Sequence, residues 1–273
     1  MKSRVLTAIG LIPFVLGAFF CANPWPIAVL AAVAFFICTA ELGALLKRKT
    51  VWCGILPALD YIAKPAQTPT VQNAAAILVT MTAAVAFVCC SVRSKELSGE
   101  KGVGLVLAVL LDSAATVWYL LPLWCLLQLH AMAPATHLWV FANPILLAVV
   151  PLWGGDTAAI FAGRAFGKHL LAPSISPKKT VEGAVANLAA CALVAVPLAL
   201  WIGYAWWIGL ICGLAAGVFG QLGDLFESWV KRQAGVKDSG SLLPGHGRLL
   251  DRIDSILFTA PVVYVALLLL GGR

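Results

Sequence analysis

GDLFESWVKRQAGVKDSGSLLPGHGRLLDRIDS, residues 223–255, is a polar island in a hydrocarbon sequence. It carries Asp224, Glu227, Lys231, Arg232, Lys237, Asp238, His246, Arg248, Asp251, Arg252 and Asp254, and apolar runs over 205–225 and 255–270 flank it. A soluble domain has about 25% charged residues. This chain of 273 residues has 11%, against 61% hydrophobic residues. An ordinary soluble enzyme is excluded. The fold class expected is an all-α polytopic membrane protein with a polar cavity at its cytoplasmic face.

A crossing needs about 20 apolar residues. Runs of roughly that kind occur at 5–22, 26–46, 51–66, 71–91, 102–122, 138–162, 182–202, 205–225 and 255–270, nine in all. The third is short and contains Pro57 and Asp60. Charge arbitrates. The Lys and Arg residues form five clusters: Lys2/Arg4, Lys47/Arg48/Lys49, Arg93/Lys95/Lys101, Arg164/Lys168/Lys178/Lys179 and Lys231/Arg232/Lys237/Arg248/Arg252. Of the 19, only Lys64 and Arg273 lie outside them. With nine crossings and a cytoplasmic N-terminus, all five clusters face the cytoplasm, as the positive-inside rule requires. The net charge of +7 therefore reflects topology, and no nucleic-acid partner is expected. Lys2 and Arg4 before Val5–Phe20 resemble a secretory signal, but no A-x-A site follows, and the run reads as a first crossing. The chain divides into N-terminal helices, 1–137, and a catalytic region, 138–273, with cytoplasmic loops at 163–181 and 226–254.

The eight cysteines lack metal-ligand spacing and read as small buried apolar residues. Gly209, Gly213, Gly217 and Gly220 recur at helical spacing and predict a close helix contact. Trp25, Trp52, Trp118, Trp139, Trp201, Trp206, Trp207 and Trp229 read mostly as interface anchors near the ends of crossings.

The polar residues suggest phosphate chemistry. Asp156 follows a long apolar run, where an ionised carboxylate costs about 2.5–3.5 kcal/mol and needs a cavity or a partner; Arg164 is one candidate partner. Ser176-Pro-Lys178-Lys179-Thr180 precedes a helix start. By spacing alone it is either a capped helix with topology-setting lysines or a phosphate site made of backbone N–H groups and two ammonium groups. Within the opening stretch, Asp224, Glu227, Ser228, Lys231 and Arg232 follow i, i+3, i+4, i+7, i+8 and share one helix face. Gly235, Gly240, Pro244, Gly245 and Gly247 then break the helix, and Asp251 and Asp254 lie on a second one. Two carboxylate-bearing helix ends joined by a basic loop suit Mg²⁺ and anionic phosphates. In this reading Asp224 and Asp251 hold the metal, and Lys231, Arg232, Lys237 and Arg248 neutralise phosphate. The alternative is a solvated basic loop, which does not explain interleaved carboxylates at the membrane border. His246 on its own reads as a solvated loop histidine.

Ser228 to Asp254 resembles the signature of bacterial phosphatidate cytidylyltransferases, S-x-x-K-R-x4-K-D-x-G-x2-[LIF]-P-G-H-G-G-x-x-D-R-x-D. Asp156–Gly183, with its Ser-Pro-Lys-Lys-Thr-Val-Glu-Gly, and Arg4-Val-Leu-Thr-Ala are similar to the same family. The resemblance implies transfer of CMP from CTP to phosphatidic acid, giving CDP-diacylglycerol and pyrophosphate in phospholipid biosynthesis, by a multi-pass enzyme of the inner (plasma) membrane. It implies Mg²⁺, with K⁺ beside it, and a homodimer. It assigns catalytic roles to Asp224, Lys231, Arg232, Lys237, Asp238 and Asp251. It assigns substrate binding to Asp156, Ser176, Lys178, Lys179, Thr180, His246, Arg248 and Arg252. Arg248 departs from the pattern, which has glycine there. Two other readings stand beside this one: a CTP-dependent enzyme acting on a polyprenyl or other lipid, and a transporter using Asp60, Asp112 and Asp156.

Overall fold

The structure, a computed structural model, describes residues 13–21, 23–45 (side chains to Leu42), 117–133, 141–236 and 249–271. The expected crossings at 51–66 and 71–91 lie outside them, as does most of 102–122. After a helical segment over 13–20, six helices follow: α1 (Trp25–Leu45), α2 (Val117–Ala131), α3 (Leu146–Phe166), α4 (Val181–Ile202), α5 (Trp206–Gln233) and α6 (Leu250–Leu270). All but α2 are long and apolar enough to cross a membrane. The chain is therefore an α-helical polytopic membrane protein.

Helices α3, α4, α5 and α6 pack in sequence, and α3 also touches α5 and α6. The glycine stripe makes the α4–α5 contact close. A Cβ at Gly209 would come within 2.8 Å of Ala195 O, one at Gly213 within 2.7 Å of Ala192 Cα, and one at Gly217 within 2.9 Å of Leu188 Cα. Without side chains at those points the two backbones approach directly, and dispersion holds helices together where lipid offers no hydrophobic drive. Gly220 and Gly223 face Leu152 of α3 and Asp254 of α6, so the same stripe turns from one neighbour to the next.

Several boundaries differ from the sequence reading. Helix α2 runs to Ala131, beyond the expected end at Pro122, because Leu123 to Leu127 and Leu129 continue the apolar run and are buried, with the buried Gln128 between them. Helix α5 does not leave off at 225. Its 28 residues span about 42 Å at 1.5 Å per residue, against about 30 Å of hydrocarbon. The charged face from Asp224 to Arg232 thus sits on the last turns of one unbroken helix. Gly235, at φ +75°, ends it where the glycine predicted a break. The segment expected as an open loop, 163–181, contains a hairpin: β1 (Leu170–Ala172) pairs antiparallel with β2 (Ser176–Thr180), Leu170 opposite Thr180 and Ala172 opposite Ser176. Pro173-Ser174 supplies a turn, and Pro177 is tolerated because a two-stranded ribbon leaves an edge free.

Trp25, Trp201, Trp206 and Trp207 are exposed near helix ends, as anchors should be. Trp118 is not one of them. It is fully buried, stacked on Tyr119 and edge-on to Phe226. Cys38, Cys125, Cys191 and Cys212 are buried and unbridged, consistent with their reading as apolar filling.

Candidate active site

Helices α3, α4, α5 and the hairpin enclose a cavity of about 680 Å³. Its polar lining comes from Asp156 and Arg164 of α3, Lys178, Lys179 and Thr180 of β2, Asn187 of α4, and Gln221 and Asp224 of α5; Ser255 of α6 also contributes. Small residues bring these elements close. Gly155 of α3 faces Asn187 and Cys191, and Gly163 faces Thr180 and Gly183.

The hairpin leads into α4 through Thr180, which has extended backbone (φ −116°, ψ 153°). Its Oγ1 accepts from the Gly183 N–H at 3.2 Å. Of the two hydroxyls expected to cap this helix, Thr180 does so. Glu182 follows in the first turn, where a negative charge suits the helix dipole. It also binds His169 Nδ1 at 2.7 Å, which fixes the start of the hairpin to α4.

Asp156 does not pair with Arg164. Eight residues along a helix separate them by about 12 Å, too far for contact. Instead Asn187 Nδ2 donates to Asp156 Oδ1 at 3.2 Å, and Gln221 Nε2 donates to Asn187 Oδ1 at 3.2 Å. A polar relay thus crosses from α5 through α4 to α3. The sequence reading passed over Asn187 and Gln221. Their signal was an amide inside each of two apolar runs, which by itself does not distinguish a site from a structural tie.

Lys179 Nζ forms an ion pair with Asp224. Arg232 Nε donates to the Ile175 carbonyl at 3.2 Å. The hairpin is therefore held along the end of α5 at two points. On the other side of α5, Lys231 Nζ lies 2.5 Å from Glu227 Oε2 and 3.3 Å from Asp251 Oδ1, and so joins α5 to α6. The buried Asp254 lies within electrostatic reach of Asp224, Lys179 and Lys231, between the two ionic clusters.

The sequence-derived residues divide accordingly. Asp156, Lys178, Lys179, Thr180 and Asp224 share the cavity. Lys231 and Asp251 share the ion-paired cluster with Glu227. Ser176 and Arg252 do not line the cavity; Arg252 is exposed. Lys237, Asp238, His246 and Arg248 lie outside the described residues. Asp224 and Asp251, read together as a metal pair, are engaged by different lysines. Among the described residues no three His, Cys, Asp or Glu side chains gather as a ready-made metal centre. Mg²⁺ needs fewer, since it takes one or two carboxylates together with water and substrate phosphates. One observation fits such an ion: Glu227 Oε1 is buried without a hydrogen-bond partner among the described residues. A buried carboxylate oxygen of this kind is costly unless a cation or donor approaches it.

The cytidylyltransferase family profile matches residues 2–270 of this chain. A phosphatidate cytidylyltransferase of Staphylococcus saprophyticus is 50% identical over 128 residues, covering 45% of this chain and 48% of that protein. One from Synechocystis is 46% identical over 127 residues, covering 46% of this chain and 43% of its own length. One from Staphylococcus aureus is 48% identical over 128 residues, covering 45% and 48%. The chain spans about half the length of the curated relatives it matches. With a profile match over nearly its whole length, the chain belongs to the cytidylyltransferase family.

Proposed function

We propose that this protein is a phosphatidate cytidylyltransferase, transferring CMP from CTP to phosphatidic acid in the membrane. The observation that carries the reading is the meeting of Lys178, Lys179 and Arg164 with Asp156 and Asp224 in one cavity built by membrane-spanning helices. Two polyanions must approach each other in this reaction, so cations have to be fixed in place before they arrive. The lipid stays in the bilayer and the nucleotide comes from water, so a site at a helix-end border suits both.

In the reaction, a phosphate oxygen of phosphatidic acid attacks the α-phosphorus of CTP. A new P–O bond forms, the bond to the β-phosphate oxygen breaks, and pyrophosphate leaves with that electron pair. Lys178 and Lys179 neutralise the triphosphate, while Thr180, capping Gly183 N–H, fixes the end of the hairpin that carries them. Arg164 faces the same space and offers a planar, two-pronged partner for a phosphate. Asp156, fixed by Asn187, orients groups on the cavity wall. Asp224 and Asp251 would hold Mg²⁺, with K⁺ accompanying it, and the metal would supply charge neutralisation and substrate alignment. Lys237 and Asp238 in catalysis, and His246, Arg248 and Arg252 in substrate binding, belong to the same proposal on the strength of the sequence signature alone.

The topology belongs to the same proposal: nine crossings, a cytoplasmic N-terminus, the cavity open to the cytoplasm at the inner membrane, a catalytic region over 138–273, and a homodimer. Clustering of all but two Lys and Arg residues at alternate ends of the nine runs supports the sidedness. Purified protein in detergent with labelled CTP, Mg²⁺ and a panel of lipid phosphates tests the activity. CMP-linked lipid and pyrophosphate in equal amounts, with phosphatidic acid preferred, is the expected result. Preference for a polyprenyl phosphate would reassign the acceptor, and no labelled lipid with any acceptor would remove the reading.

A further inference from the structure

Glu41 lies near the C-terminal end of α1's apolar sequence and is 3% exposed. It shares a buried face with Cys38 and Leu42. A carboxylate there is costly in a membrane protein unless it is fully engaged. Its two oxygens are engaged at the start of α6. Oε1 accepts from the Leu249 N–H at 3.0 Å and Oε2 from the Leu250 N–H at 2.9 Å. These are partners more than two hundred positions away in the chain.

Helix α6 needs such a partner. Its N-cap residue is Leu249, which has helical backbone and no side chain able to cap. The first N–H groups of a helix have no partners within it, and those of a buried helix start must find them elsewhere. A carboxylate satisfies two of them together and complements the positive end of the helix dipole. Helices normally obtain this cap from the residue that precedes them. Here a separate membrane helix supplies it. The capped residues directly precede Asp251, and Asp254 follows within the next turn. Lys231 of α5 pairs with Asp251, so the start of α6 is held by two other helices.

We propose that Glu41 is a positioning residue: by capping α6 from α1, it sets the height and rotation at which Asp251 and Asp254 meet α5. The proposal rests on the functional reading above for the roles of those aspartates. It also gives the N-terminal helices a part in the chemistry, since a displacement of α6 along its axis would carry both carboxylates with it. Positional errors of about 1 Å at reacting groups cost on the order of a hundredfold in rate.

Glu41→Ala and Glu41→Gln in the full-length protein test this, with steady-state kinetics and amide hydrogen exchange as separate readouts. Loss of partners of this supporting kind typically costs about ten- to hundredfold. Glu41→Ala is therefore expected to lower kcat by that factor while the KM for CTP stays within about threefold. Exchange at 249–253 should quicken by about tenfold or more, with α4 unchanged. Glu41→Gln keeps one acceptor oxygen at the same reach and should fall between wild type and Glu41→Ala in both readouts. Wild-type kcat or wild-type exchange at 249–253 in Glu41→Ala overturns the proposal. If Glu41→Ala does not accumulate as folded protein, Glu41→Gln decides by the same two measurements, and equality with wild type in either overturns it. Wild-type protein that transfers no CMP removes the functional reading instead, while the exchange data still decide whether Glu41 holds the start of α6.

Discussion

The Lys179 ammonium reaches from β2 to the Asp224 carboxylate on α5, and both side chains line the cavity. This pair makes the hairpin part of the site rather than a connector between crossings. It also poises two opposite charges where a triphosphate and its counter-ion would compete for them. Lys179→Ala removes the cation and one of the two points that hold the hairpin to α5. By the scale of losing one fixed electrostatic donor, turnover should fall about a hundred- to thousandfold. Lys179→Arg should recover only part of this, because a planar fork does not replace a point charge. Initial rates of CMP transfer check both variants, and a Lys179→Ala rate close to wild type would detach the hairpin from the chemistry.

Lys231 bridges Glu227 and Asp251, with 16% of its own side chain exposed and 2% of that of Glu227. Lys231→Met leaves the Glu227 charge buried beside a second carboxylate. Breaking a buried pair in this way costs about 3–5 kcal/mol, and thermal unfolding in detergent should move down accordingly. The double variant Glu227→Gln/Lys231→Met removes the stranded charge and should recover much of that stability. Additive losses in the double variant would mean that the two groups do not depend on each other.

Much of this arrangement is legible in the sequence, for identifiable reasons. Apolar length finds α1 and α3 to α6 because lipid imposes a minimum span. Glycine at helical spacing foretells the α4–α5 contact because only a missing Cβ lets the backbones approach. Asp224, Lys231 and Asp251 stand out because charge at a membrane border is costly. What escapes the sequence is partnership at a distance. Nothing local assigns Asp156 to Asn187 rather than Arg164, Asp224 to Lys179, or Glu41 to the start of α6. The hairpin escapes for a related reason: Leu170–Thr180 is too short and mixed in character to declare a strand until the end of α5 anchors it. Trp118 has the composition of an interface anchor, yet its place in the core is set by Phe226 on a helix a hundred residues later.

Gly213 offers a test of the scaffold alone. Its Cβ position lies 2.7 Å from both Ala192 Cα and Cys191 O, so a side chain has to push backbone aside. Gly213→Val should destabilise by about 1–3 kcal/mol or more through overpacking, read as a lower melting temperature and weaker CMP transfer. Gly203→Ala probes a different cost. Space is open there, but the backbone is at φ +99°, and the expected loss is about 1–2 kcal/mol. A Gly213→Val protein as stable as wild type would contradict the close α4–α5 contact.

Thr180 separates capping from substrate contact. Thr180→Ser keeps the hydroxyl that accepts from Gly183 N–H and should leave stability near wild type. Thr180→Ala loses the cap and about 1 kcal/mol. If Thr180 also contacts substrate in the cavity it lines, Thr180→Ala should raise the KM for CTP as well. A stability loss without any kinetic change would assign Thr180 to the fold only.

If CMP passes to a lipid phosphate in the cavity around Asp224, transfer depends on that carboxylate. The most direct measurement is single-turnover formation of CMP-linked lipid from labelled CTP and phosphatidic acid, comparing wild type with Asp224→Asn at matched melting temperature. Wild type is expected to give labelled lipid, and Asp224→Asn a rate at least about a hundredfold lower. Equal rates from the two proteins would contradict it.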